Sequence, residues 1–185
     1  MKAVLISIQP KWCGLIASGE KTIEVRKTKP CIDYPFKCYI YETQGKTEEP
    51  WMDEDGHMIF RGRGMVIGEF VCDKISIFRP KSITCESAIK KASCLTVQGL
   101  IDYAGNKDHI FWWHISDLVI YDEPKPLSEF ERPCKCIGEY EGETYCDCLN
   151  CDDAGDSDYG IIACGRELNR PPQSWCYVEE VTANA

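Results

Sequence analysis

The stretch Gly19-Glu20-Lys21-Thr22-Ile23-Glu24-Val25-Arg26 changes from a helical to a β-like pattern within a few residues. Upstream, Trp12, Leu15 and Ile16 recur at helical spacing. Pro10 suits the first turn of a helix, where its missing N–H costs nothing, and Gly19 is placed to stop it, so a helix is predicted over 10–18. Downstream, Thr22–Arg26 alternates: Ile23 and Val25 face one side, Glu24 and Arg26 the other. Lys21 falls at the turn between the two. A cation, an anion and a cation within six residues can hold the carboxylate ionised and aim two donors at a ligand oxygen. By spacing alone, the same charges also describe an ordinary solvated strand face.

Outward from this stretch, Ala3–Ile8 reads as a short apolar strand and Lys37–Thr43 as a second, with Tyr39 and Tyr41 alternating against Cys38 and Ile40. Thr47–Gly56 is acidic and turn-rich, a predicted loop. His57–Arg61 and Gly64–Phe78 read as strands, Thr84–Cys94 and Thr96–Ala104 as helices with Gly105 a stop, and His109–Tyr121 as an aromatic-rich strand. Asp122–Pro133, with three prolines, is a predicted connector, and Trp175–Val178 a closing strand. Several strands with a few short helices and no regular βα alternation favour an α+β or barrel architecture over a doubly wound sheet.

The chain has 185 residues, long enough for one domain, or one domain with an insert, to bury a core without staples. No apolar run approaches the roughly 18 residues that span a bilayer, so no membrane partner is expected. The start lacks the pattern of a signal peptide, so a cytoplasmic, reducing setting is expected. The net charge of −9 argues against sequence-blind affinity for nucleic acid. That charge is uneven: residues 1–46 carry eight Lys/Arg against four Asp/Glu, whereas 134–165 carry one Lys against eight Asp/Glu. The motif-bearing segment is locally basic and suits an anionic or polar ligand.

Ile8-Gln9-Pro10-Lys11-Trp12, Leu15-Ile16 and Gly19-x-Lys21-x-x-Glu24-x-Arg26-Lys27 together resemble the opening signature of ASCH domains. Gly68-Glu69, after Met65-Val66-Ile67, is similar to a later strand of that family that carries an acidic residue. Trp113-His114-Ile115-Ser116-Asp117 with Arg170-Pro171-Pro172-Gln173-Ser174-Trp175 resembles a phage and prophage subgroup. The resemblance implies a PUA-like mixed β-barrel, a cleft beside the first helix, and RNA or a nucleotide as ligand. It also implies a chemistry, because small bacterial members remove the acetyl group of acetylcytidine with a threonine, a lysine and a glutamate. The lysine corresponds to Lys21 and the glutamate to Glu69, while Glu24 stands at the threonine position. A carboxylate is a poor nucleophile towards an amide. Hydrolysis would therefore need Glu24 or Glu69 as general base on a water. Other members are linked to RNA cleavage, where Lys21 and Arg26 would stabilise the charge that develops on phosphate.

Two function classes follow. One is a binding module for RNA or a modified nucleoside, held by Lys21, Glu24 and Arg26 with Trp12 and Tyr41 as stacking rings. The other is a hydrolase of a nucleoside amide or of RNA, with Lys21, Glu24 and Glu69 as its catalytic set. The place of Glu24 favours ligand holding. Tyr39, Trp112 and Trp113 also suit stacking, but large aromatics equally make up the core of a small barrel. His114, in a dense apolar run, reads as a core histidine.

Cys134–Cys164 holds six of the 13 cysteines, many acids and few aliphatics, and reads as an insert. Zinc takes four soft ligands in a tetrahedron, usually from cysteine pairs two to four residues apart. Cys134, Cys136, Cys148 and Cys151 are the preferred four for a structural zinc, with Cys146 and Cys164 in reserve. Structural zinc contributes on the order of 10 kcal/mol or more in small metal-dependent folds, enough to order a segment without a core. Disulfides and free thiols remain open beside it. No organic cofactor is expected, and the acidic insert offers a surface for a protein partner.

Overall fold

The computed structural model describes residues 1–52, 58–80, 92–133, 137–140, 143–146 and 166–181. In chain order the elements are β1 (Lys2–Ile8), α1 (Pro10–Ala17), β2 (Ile23–Arg26), β3 (Phe36–Glu42), β4 (Lys46–Met52), β5 (Met58–Arg61), β6 (Val66–Cys72), β7 (Ile75–Phe78), α2 (Val97–Ala104), β8 (Ile110–His114), β9 (Ser116–Lys125), β10 (Ile137–Tyr140), β11 (Glu143–Cys146) and β12 (Trp175–Glu179). The class is α+β, as expected. The preferred zinc ligands and Cys164 lie outside the described residues, as does nearly all of the helix predicted over 84–94.

β1 organises the fold. Its residues from Ala3 to Ile8 are all buried, so both of its faces meet a core. That explains why it reads as an unbroken apolar run rather than an alternating one. Val4, Ile6 and Ile8 pack on one face with Cys13 and Ile16 of α1, Ile40, Phe70 and Trp113. Ala3 and Leu5 pack on the other with Tyr39, Tyr41, Phe130 and Val178. A third cluster joins Val25 of β2 to Leu100 and Ala104 of α2 and Ile110 of β8. The five-stranded sheet runs β12-β1-β3-β6-β9. It is mixed: β1 is parallel to β3, and all other neighbours are antiparallel.

The expected closed barrel is not what forms. The strands at 3–8, 22–26, 37–42 and 175–178 are present with small changes at their ends, but the paired strands make separate sheets. The run 64–78 splits into β6, in the five-stranded sheet, and β7, in a three-stranded sheet of order β2-β8-β7. The run 109–121 splits in the same way into β8 and β9. The breaks fall at Asp73-Lys74 and at Ile115, where the chain turns from one sheet to the other. The two corners hold each other: His114 N donates to Lys74 O at 2.9 Å and Ser116 Oγ to Val71 O at 2.8 Å. Asp117 takes up the bend with a left-handed φ of 45°. Two further expectations change. Part of the predicted loop 47–56 is β4, paired with β5, and the predicted connector from 122 begins as the end of β9. Among the described residues no helix is long and apolar enough to cross a membrane.

Gly62, next to β5, brings that region against the start of α1. A Cβ there would lie 1.9 Å from Thr43 O and 2.5 Å from Pro10 Cγ. The first of these is backbone and cannot swing aside. Gly62→Ala is therefore expected to lower stability by about 1–3 kcal/mol, the usual cost of overpacking. Chemical denaturation measures it; an unchanged midpoint would show that the segment is not pressed against Thr43 and Pro10.

Candidate ligand-binding cleft

The turn from α1 into β2 is set by Gly19, whose φ of 76° suits glycine, and by Lys21 N donating to Leu15 O at 2.8 Å. The chain then enters β2, which pairs antiparallel with β8, Glu24 opposite Trp113 and Arg26 opposite Phe111. Lys21, Glu24 and Arg26 are 3%, 6% and 9% exposed. They are no solvated strand face.

Their charges compensate one another. Glu24 Oε2 lies 3.4 Å from Lys21 Nζ, and Glu24 Oε1 lies 3.0 Å from Arg26 Nη2. Lys21 Nζ also donates to Ile23 O at 2.6 Å and Ser93 O at 3.0 Å, so its three N–H bonds all have acceptors. It lies 5.6 Å from the centre of the Trp12 ring, within cation–π range. Arg26 Nη2 donates to Ser7 O at 2.6 Å. Two cations against one carboxylate leave an excess positive charge in a buried place. Arg26 Nε is buried with no hydrogen-bond partner among the described residues. A buried unpaired donor costs about 1–3 kcal/mol unless something accepts from it.

These three side chains line a cleft of about 670 Å³. Trp12, from α1, and Tyr103, from α2, contribute rings to its walls, and Pro171, Pro172 and Gln173 form a lip on the approach to β12. Burial pushes the Tyr103 phenol above its ordinary range, with Arg26 pulling it down and Glu24 pushing it up. Behind the cleft, the Cys13 thiol is pushed well above its ordinary range by burial first, then by Glu42 and Glu24. It is a neutral core group.

Of the residues singled out from the sequence, Lys21, Glu24, Arg26 and Trp12 come together at the cleft. Glu69 and Tyr41 are not among its lining residues. Tyr41 is 5% exposed and packs in the core that holds Ala3 and Leu5. Glu69 stands opposite Tyr39 in the register of β3 and β6. Its carboxylate pairs with Lys37 Nζ at 2.9 Å and accepts from the Tyr121 hydroxyl. The expected convergence of Glu69 with Lys21 is not found. Glu69 instead belongs to a polar cluster in which Lys37 also reaches Glu180 at 3.5 Å. His114, expected in the core, is only partly buried and pairs with Asp73 at the sheet corner. Sequence reasoning passed over Ser7, Tyr103 and the lip. Ser7 left one signal, a lone hydroxyl inside an apolar run.

A mixed-sheet α+β protein with a polar, helix-flanked cleft is thus the class defined by these features. No family model and no curated protein matches the chain. Solved structures do. The crystal structure of ASCH from Zymomonas mobilis superposes with a TM-score of 0.50 at 21% identity, over 68% of this chain and 73% of that one. A Tyr-to-Phe variant of that protein gives 0.51 at 20%, over 69% and 77%. A Ser-to-Ala variant gives 0.50 at 21%, over 68% and 74%. At this identity the likeness is one of fold: the chain has the fold of that ASCH protein.

Lys21→Met leaves Glu24 paired with Arg26 but takes away the donor to the Ile23 and Ser93 carbonyls, and should cost about 1–3 kcal/mol, the penalty for a buried polar group that loses its partner. Urea denaturation checks this. A loss under about 1 kcal/mol would mean that water reaches the pair.

Proposed function

We propose that the chain is a binding module whose cleft holds RNA or a single nucleoside, natural or modified. The observation that carries this reading is the buried group of Lys21, Glu24 and Arg26, two cations against one carboxylate, in the lining of the cleft. An electron-rich ligand acceptor offsets that excess charge. The Trp12 and Tyr103 rings offer flat apolar surface of the kind that bases stack on. The solved ASCH structures add likeness of fold, and the sequence signature adds the family's link to RNA.

What favours binding over hydrolysis is the state of the acidic groups. A general base needs a free lone pair within reach of a water or substrate proton. Glu24 is held between Lys21 and Arg26, and Glu69, paired with Lys37 and Tyr121, is not among the residues that line the cleft, so the lysine and glutamate pair is not assembled there. A structural zinc on Cys134, Cys136, Cys148 and Cys151 remains part of the proposal, as does a protein partner for the acidic insert. Elemental analysis for zinc tests the first.

Titration calorimetry with nucleosides and short single-stranded RNA should detect binding to the wild type. Arg26→Lys keeps the charge but loses the guanidinium fork that holds Glu24 and Ser7 in place under the cleft, and should weaken that binding at least tenfold, about 1.4 kcal/mol. Acetylcytidine should bind without losing its acetyl group. Turnover that disappears in both Lys21→Ala and Glu69→Ala would replace this reading with the hydrolase. Absence of any binding would refute it.

A further inference from the structure

The lip of the cleft is held more firmly than its loop conformation suggests. Ser7 ties it down twice, with Oγ donating to Pro172 O at 2.7 Å and the backbone N donating to Ser174 O at 2.9 Å. Pro171 and Pro172 fix their own φ angles and carry no N–H. The Ser7 carbonyl accepts from Arg26, so the lip and the cleft floor share one anchor. Just beyond, Trp175 Nε1 donates to Thr28 Oγ1 at 3.0 Å. Gln173 therefore projects from a segment pinned on both sides. It is exposed, it lines the cleft, and among the described residues its carboxamide has no hydrogen-bond partner.

A glutamine carboxamide offers one acceptor oxygen beside a two-proton donor. The edges of nucleobases carry the complementary pattern, an adjacent acceptor and donor, whereas a phosphate or a sugar carboxylate presents acceptors alone. Arg26 and Gln173 thus differ in what they can tell apart. The positive charge of Arg26 attracts any electron-rich acceptor. Gln173 requires both halves of the pattern. The pinned backbone limits where the carboxamide can reach, so a ligand that lacks the matching atoms forgoes this contact while one that has them gains it.

We propose that Gln173 is the specificity-determining residue of the cleft, reading the edge of a nucleobase through a paired donor and acceptor contact. The proposal rests on the reading of the cleft as a nucleoside site and deepens it. It assigns recognition to the base and not to phosphate. It also carries a specific chemical consequence. Gln173→Glu replaces the donor with a second acceptor, and among the four common bases only guanine presents two adjacent donors on its Watson–Crick edge.

The test is titration of the wild type, Gln173→Leu and Gln173→Glu with the four ribonucleosides and with ribose 5-phosphate as a ligand lacking a base. Circular dichroism melts confirm that the variants fold, as an exposed side chain allows. The wild type should bind at least one nucleoside and bind ribose 5-phosphate far more weakly. Gln173→Leu should lose roughly tenfold to a hundredfold in affinity. Gln173→Glu should move the preference towards guanosine by a similar factor. If both variants keep the wild-type affinities and their order, Gln173 is not the reader, while the cleft reading stands. If ribose 5-phosphate binds as well as the nucleosides, base readout is overturned. If no nucleoside binds the wild type, the proposal falls together with the cleft reading.

Discussion

The buried ion group of Lys21, Glu24 and Arg26 is the constraint on which the site depends. Taking three charges out of water costs several kcal/mol for each, and mutual attraction offsets that only when geometry and extra hydrogen bonds are good. The protein meets this condition with main-chain carbonyls from three places: Ile23 beside the group, Ser93 ahead of α2, and Ser7 on β1. Each carbonyl ties the ions to a different part of the chain. The ions thereby fix the cleft floor, and the cleft inherits their rigidity. The requirement is not fully met at one atom, Arg26 Nε, which is buried with no hydrogen-bond partner among the described residues.

The sheets explain why the group sits where it does. β1 is buried on both faces, so its far end, at Ser7 and Ile8, can supply backbone groups to the cleft without exposing the strand. α1 begins directly afterwards with Pro10 and returns the chain to β2 through Gly19. The corners at Asp73-Lys74 and Ile115 carry β7 and β8 away from the large sheet, and β8 then holds β2, which bears the charges. Gly62 closes the opposite side by letting backbone approach Thr43 and Pro10. A local motif of eight residues thus becomes a cleft through contacts distributed over most of the described chain.

Much of this was legible in the sequence, for definite reasons. Helical spacing of Trp12, Leu15 and Ile16 marked α1, and alternation in Thr22–Arg26 put Glu24 and Arg26 on one face. The two sheet corners were not read: Trp113-His114-Ile115-Ser116 keeps its alternation through the second, and the charged pair Asp73-Lys74 interrupts the run at the first without saying that the chain changes sheet. Part of β4 was hidden by its acids and Pro50, which read as loop. Glu69 was misplaced because a sequence match fixes a residue on a strand but not the register of that strand with its neighbour. Pairing Glu69 with Tyr39 directs it to Lys37 and Tyr121. Burial of the charges could not be read either: spacing brings a cation beside a carboxylate equally in water and in a core. Gln173 lay in a quoted motif without a role, since only tertiary pinning by Ser7 distinguishes it from an ordinary loop glutamine.

The central claim is that a ligand binds over the Lys21, Glu24 and Arg26 group, and the Arg26 Nε–H can report on it directly. In a 15N-labelled sample, arginine Nε–H resonances are resolved from the backbone and assignable by the Arg26→Lys variant. On addition of a nucleoside or short RNA that binds, the Arg26 resonance should shift, together with the Trp12 indole and the Gln173 side-chain amide. Binding that leaves the Arg26 resonance unmoved, with shifts confined to another surface such as the exposed Val119 and Ile120 of β9, would contradict the account.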